Sequence, residues 1–147
     1  VGEHTFGVAA LCYFLLDPQA VTVPLLLAAI FHDVPELTTG DIPSPTKRRL
    51  EASDTTFRKM EDAVAPRMQL PSIVLSTAEA RTLKLADITD GLLHCCYERS
   101  LGNKNIGYVY DTYTHYAEEF MPFTPNEATV LSAISEIWSV YNGNNQL

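Results

Sequence analysis

Apolar positions along this chain recur mostly at helical spacing, and prolines, glycines and capping residues cut the pattern into six segments. Residues 3–16 place Phe6, Ala10, Tyr13 and Phe14 at that spacing, and Asp17-Pro18 stops the run. Thr22 is suited to cap the next helix, with Pro24 in its first turn. Residues 24–33 are apolar nearly all round, which predicts a central helix. A long loop follows, from Val34 to about Ser53, shaped by Pro35, Gly40, Pro43 and Pro45; ordered loops of that length are often functional. A third helix is expected over 54–65, with Asp54 as cap and Phe57, Met60 and Val64 facing inward, ended by Pro66 and Pro71. Residues 77–101 form the longest helical pattern, capped by Thr77 and stopped by Gly102. Leu83, Ala86, Asp87, Asp90, Leu93, His94 and Tyr97 share one stripe of it. Residues 104–120 are rich in aromatics. Thr124-Pro125-Asn126-Glu127 is a capping box opening the last helix, which carries Leu131, Ile134, Ile137 and Trp138 and stops at Gly143. No segment alternates at strand period, and there is no repeat or linker. The pattern predicts one all-α domain of about six helices over residues 1–147.

Composition narrows the function. A chain of 147 residues, 46% hydrophobic, can bury a sizeable core. Its net charge of −8 argues against a nucleic-acid polymer or an anionic membrane as partner, but leaves room for a small phosphate compound held by a metal and local cations. Three cysteines, Cys12, Cys95 and Cys96, make neither a disulfide framework nor a zinc cluster, so a reducing, cytoplasmic setting is expected. The longest apolar run, Val23 to Phe31, is shorter than the roughly 18 residues that read as a membrane span. The sequence opens at Val1, already inside a helix start, and a further segment ahead of it is expected.

The polar residues inside this apolar frame carry the chemistry. An apolar helix running into His32-Asp33 spends its end on polar groups, which points to a metal or catalytic site. Taken with His4 and Asp87, the pair makes a set of two imidazoles and two carboxylates, suited to a divalent transition ion such as Co, Mn, Zn, Fe or Ni. Such an ion lowers the pKa of its water and draws charge off a phosphoryl group. Glu36, one turn past the pair, could handle the proton of an attacking water, and Asp41 could share that task or hold Glu36. Lys47, and Arg48 beside it, could reach phosphate oxygens. Plainer readings stand beside these. Asp87 could pair with Lys84, Asp90 with His94 one turn on, and His115 could lie on a solvated face. Lys47-Arg48-Arg49 could be surface charge, and the tyrosines of 108–116 core or an oligomer interface.

Glu3-His4, His32-Asp33 and Leu85-Ala86-Asp87 resemble the signature of the HD-domain metal phosphohydrolases. The stretch HDVPELTTGDIPSPTK is similar to the corresponding part of the YfbR-like bacterial 5′-deoxynucleotidases, and LKLADITDGLLHCCYERSLGN to their Asp-bearing helix. Compact length and spacing resemble most the phage members of that branch, deoxynucleoside triphosphohydrolases that remove dATP. The resemblance runs to about Asn103 and implies an HD-domain helical bundle. It implies that His4, His32, Asp33 and Asp87 hold the metal, that Glu36 is the catalytic carboxylate and that Asp41 is its partner. Relatives also carry an Arg-Trp segment ahead of the first His for phosphate and sugar contacts, which lies outside this sequence. Lys47 is then expected on the phosphates, and Ile88 and Leu92 are candidate walls of a base pocket.

The expected function is therefore hydrolysis of a deoxynucleotide, favoured as dATP to deoxynucleoside and triphosphate by a homo-oligomer in the cytoplasm, of the host if phage-encoded. The alternative is 5′-monophosphate hydrolysis. A non-catalytic HD module that binds a nucleotide as a signal, and a purely structural helical protein, are the competing classes. The first leaves the intact Glu36 and Asp41 without a reason, and the second leaves the polar stripe of Asp87, Asp90 and His94 unexplained.

Overall fold

A computed structural model describes residues 2–36, 40 and 56–144 of the chain. Among the described residues there are six α-helices: α1 (Gly2–Leu15), α2 (Val23–Phe31), α3 (Thr56–Arg67), α4 (Thr77–Ser100), α5 (Gly107–Glu118) and α6 (Pro125–Ser139). Short 3₁₀ turns lie at Pro18–Ala20 and Lys104–Ile106, and a π turn at Val140–Asn144. No strand occurs among the described residues, and none of their helices is long and apolar enough to cross a membrane. The all-α bundle expected from the periodicity is the observed fold.

Helix starts follow the capping chemistry. The Thr22 hydroxyl accepts from Leu25 N at 3.2 Å, with Pro24 in the first turn where its missing N–H is harmless. Thr124 and Glu127 form the expected capping box of α6. The cap of α4 is Ser76 rather than Thr77: Ser76 and Glu79 make a reciprocal box, leaving Thr77 as the first helical residue. Gly102, at φ 93°, ends α4 with its N–H donating to Arg99 O at 3.0 Å. Pro66 falls in the last turn of α3, which ends one residue later.

The hub is α4, which packs against α1, α2, α5 and α6. This corrects the expectation that the second helix is central. With nine residues, α2 buries Leu25 and Ala29 against its neighbours and leaves Val23 and Ile30 exposed. A helix apolar all round is not thereby enclosed; it needs neighbours on every side. On α1 the inward face is Thr5, Val8, Leu11, Cys12 and Leu15, whereas Phe6, Tyr13 and Phe14 are exposed. Both faces are apolar, and the one with smaller side chains lets α1 approach α4 closely. In α3, Val64 is buried as expected, Met60 is exposed, and the side chain of Phe57 lies outside the described set.

Along α4 the buried line is Thr82, Leu85, Ala86, Ile88, Thr89, Leu92, Cys95 and Cys96. Thr82 and Thr89 satisfy their hydroxyls on the carbonyls of Ala78 (3.1 Å) and Leu85 (2.6 Å). Asp87 and Asp90 flank this line, half-buried, while His94 and Tyr97 are exposed. Gly91 makes room for α5: a Cβ there would stand 2.7 Å from the Tyr113 ring. The aromatic helix is mostly core. Tyr110 is buried and stacks on Trp138 at 3.9 Å, Tyr113, Tyr116 and Phe120 pack against the core, and Tyr108 alone of the α5 tyrosines is fully outward. All three cysteines are buried free thiols, and burial pushes those of Cys12 and Cys95 up to about 11. That suits packing and not nucleophilic or ligand chemistry.

Candidate metal centre

The polar end of α2 begins with its backbone. Pro35 disfavours helical geometry at Val34, so α2 ends at Phe31 and single turns follow. Their amide bonds are Val34 N to Phe31 O (3.1 Å) and Glu36 N to Asp33 O (3.0 Å). His32 turns back over the helix end, its Nδ1 lying 2.7 Å from Ala29 O. A carbonyl only accepts, so Nδ1 carries the hydrogen and Nε2 presents its lone pair away from the helix. Asp33 then swings to the same side, with Oδ1 at 3.2 Å from His32 Nε2.

The first turn of α1 brings His4 to this point. Its Nε2 lies 3.3 Å from His32 Nε2, 3.2 Å from Asp33 Oδ2 and 3.4 Å from Asp87 Oδ1 of α4. One ligand atom each from His4, His32 and Asp33 falls within a mutual 4.8 Å. Asp87 reaches this group through His4, and its other oxygen lies 2.6 Å from Lys84 Nζ. Pairing with Lys84 and facing the cluster are therefore not alternatives, because each oxygen does one of them.

The electrostatics call for a cation. Bonds to Asp87 and then Asp90 outweigh burial and push the His4 imidazole up to about 10. Burial opposes the charge on Asp87, but His4 and Lys84 overcome it and hold the carboxyl well below the usual carboxylate range. Three carboxylates, from Asp33, Asp87 and Asp90, thus stand within 3.4 Å of the His4 ring nitrogens. With no ion, a proton on His4 offsets part of that charge; a divalent ion would displace it. The donor set fits such an ion. Nitrogens about 2.1 Å from a shared metal stand about 3.0–3.4 Å apart, and the observed separation of 3.3 Å falls in that span.

Of the other sequence candidates, Glu36 is half-buried one turn past Asp33, and its carbonyl accepts from Gly40 N at 2.8 Å. Gly40 has φ 78°, the left-handed turn that favours glycine. Asp41, Lys47 and Arg48 lie outside the described residues. Ile88 and Leu92 sit in the core at 3% exposure each, so the structure puts them in packing and not on an open pocket wall. His115 is exposed, as a solvated residue should be. Asp90 is the residue the periodicity misassigned. Spacing pairs it with His94, whereas its carboxylate meets His4 Nδ1 at 2.7 Å. The available signal was its place three residues after Asp87 on the same stripe.

The chain is 27% identical over 128 residues to a 5′-deoxynucleotidase of Vibrio cholerae serotype O1, an alignment covering 70% of this chain and 64% of the relative. The chain thus spans less than two thirds of that relative's length. No solved structure matches it. The family described as 5′-deoxynucleotidase YfbR-like matches residues 1–130, which include every residue of the cluster. With a match over most of its length, the chain belongs to the YfbR-like 5′-deoxynucleotidase family.

Proposed function

We propose that the chain carries a metal-dependent phosphohydrolase site for 5′-deoxynucleoside monophosphates, releasing deoxynucleoside and inorganic phosphate. The observation that carries this reading is the meeting of two imidazole Nε2 atoms and the Asp33 carboxylate within 4.8 Å at the end of α2. His4, His32 and Asp33 would hold a divalent transition ion (Co, Mn, Zn or Fe), with Asp87 as the fourth ligand through Oδ1. Such an ion, when bound, supplies Lewis acidity and activates water near neutral pH. The chain's own groups do the rest. Ala29 O holds the His32 tautomer, and Lys84 offsets the outer oxygen of Asp87. Glu36 takes the proton of the attacking water and returns it to the leaving 5′ oxygen. Asp41 as partner of Glu36, and Lys47 on the phosphate, belong to the same proposal.

A monophosphate is preferred over the dATP triphosphohydrolysis expected from the phage resemblance. Both the matched family and the Vibrio cholerae relative are described as 5′-deoxynucleotidases, and neither description supports the triphosphate reading. The test is a panel of the four deoxynucleotides as mono- and triphosphates with Co, Mn and Zn, scoring phosphate against triphosphate. Inorganic phosphate from the monophosphates is expected. Triphosphate from dATP, with nothing from dAMP, would move the assignment to the triphosphohydrolase. Binding without hydrolysis would move it to a nucleotide-binding module.

Within this reading, Glu36→Gln is expected to lower kcat by about a hundredfold, the lower range for a lost general acid–base group. Cobalt content, measured on the same sample, should not change. A parallel loss of cobalt would make Glu36 a ligand instead.

A further inference from the structure

We propose that Asp90 is the positioning residue for the His4 ligand, and that Gly7 is the opening through which it reaches that histidine. The inference rests on the metal reading of the cluster. His4 directs Nε2 at His32, Asp33 and Asp87, so only Nδ1 is left to fix the ring, and Asp90 Oδ2 takes it at 2.7 Å. A carboxylate only accepts here, which keeps a hydrogen on Nδ1 and leaves Nε2 as the nitrogen that a metal would take. The two histidines solve the same problem differently. His32 uses a carbonyl of its own helix, Ala29 O, whereas His4 takes its acceptor from α4.

That second solution needs the two helices to be close. Gly7 lies one turn after His4 on the face of α1 that meets α4. A Cβ at Gly7 would stand 2.2 Å from Asp90 Oδ1 and 3.1 Å from its Cγ. No rotation of a methyl group relieves that approach, so any larger residue must push the carboxylate off its line to His4. A glycine in a helix interior is less favourable than alanine. The position of Asp90 is a reason for Gly7 to be there.

The closing experiment measures cobalt(II) affinity by chelator competition and the His4 tautomer by long-range ¹H–¹⁵N correlation on histidine-labelled protein. Asp90→Ala and Gly7→Ala are each expected to weaken cobalt binding about 10–100-fold, the usual cost of losing an outer partner. The ordered Nδ1–H signal of His4 should be lost in both. Asp90→Asn, nearly isosteric, should keep the fold and show a smaller loss of affinity. In the Asp90→Ala background, Gly7→Ala should add nothing further, because the carboxylate it would obstruct is gone. Wild-type affinity and an unchanged His4 signal in Asp90→Asn and Asp90→Ala overturn the inference, as does full additivity of the Gly7 and Asp90 changes. If the wild-type protein binds no cobalt, or His32→Ala binds it equally well, the metal reading itself has failed, and that result is distinct from the other two.

Discussion

His32→Ala is expected to abolish metal binding and hydrolysis together while leaving the bundle folded. His32 contributes one of the two Nε2 atoms that face each other at 3.3 Å, and its Nδ1 is anchored on Ala29 O. In the proposed site His32 is an inner ligand, so its removal should lower metal affinity by more than the roughly 10–100-fold expected when an outer partner is lost. An ion of this kind contributes several kcal/mol to a phosphoryl-transfer barrier, and about 1.4 kcal/mol is tenfold in rate. Activity should therefore drop by about a thousandfold or more. The fold should tolerate the change, because His32 follows the end of α2 and the buried residues of that helix are Leu25 and Ala29. His94→Ala is the matched control: it removes an exposed imidazole from α4, and activity and metal content should stay within about twofold. Metal analysis and phosphate release on the two variants check this. Full activity in His32→Ala would remove the cluster from the mechanism.

The placement of these residues shows which parts of the molecule local sequence can specify. Helix ends were legible because caps act within four residues: Thr22 with Pro24, the Thr124 and Glu127 box, and Gly102 all act where their chemistry predicts. The cap of α4 slipped by one residue because Ser76 and Thr77 are both good caps, and only Ser76 has Glu79 three positions on. The inward face of α1 was not legible, since both of its faces are apolar and periodicity cannot choose between them. The His-Asp pair was legible because polar groups at the end of an apolar helix need a reason. Asp90 was not. Its local partner on α4 and its actual partner 86 residues away both have suitable chemistry, and only the approach of α1 to α4 decides. Ile88 shows the same limit on a finer scale. Neighbours on a helix point about 100° apart, so the residue after Asp87 turns away from the cluster and into the core.

Glu127→Ala is expected to be the most destabilising single change outside the apolar core, at about 3 kcal/mol, the lower end of the cost of removing one partner of a buried ion pair, because a third of the Arg81 side chain stays in water. Glu127 is 1% exposed, and it does three things at once. It accepts from Thr124 N at 2.9 Å to complete the α6 capping box. Its two oxygens bind Nη1 and Nη2 of Arg81 on α4 in a fork. Through Arg81, whose Nη2 also donates to Phe120 O at 2.6 Å, it ties the chain just after α5 to α4 and α6. Alanine would leave the guanidinium without its counter-charge and the helix start without its reciprocal cap. Burial opposes the Glu127 charge, but Arg81 and the cap bonds overcome it and keep the carboxyl below its ordinary 4.5. Because the folded value is the lower one, this stability is fully present above the unfolded value and is lost as pH falls through the folded one. Urea unfolding of the wild type should therefore show a midpoint that declines below about pH 4.5, with Glu127→Gln showing a lower midpoint and a shallower decline. The double variant Arg81→Met with Glu127→Leu should recover much of the loss, since an apolar pair of similar volume can replace a buried ion pair. Additive losses in that double variant would mean that the two side chains act separately, and that the three helix ends are held together by something other than this pair.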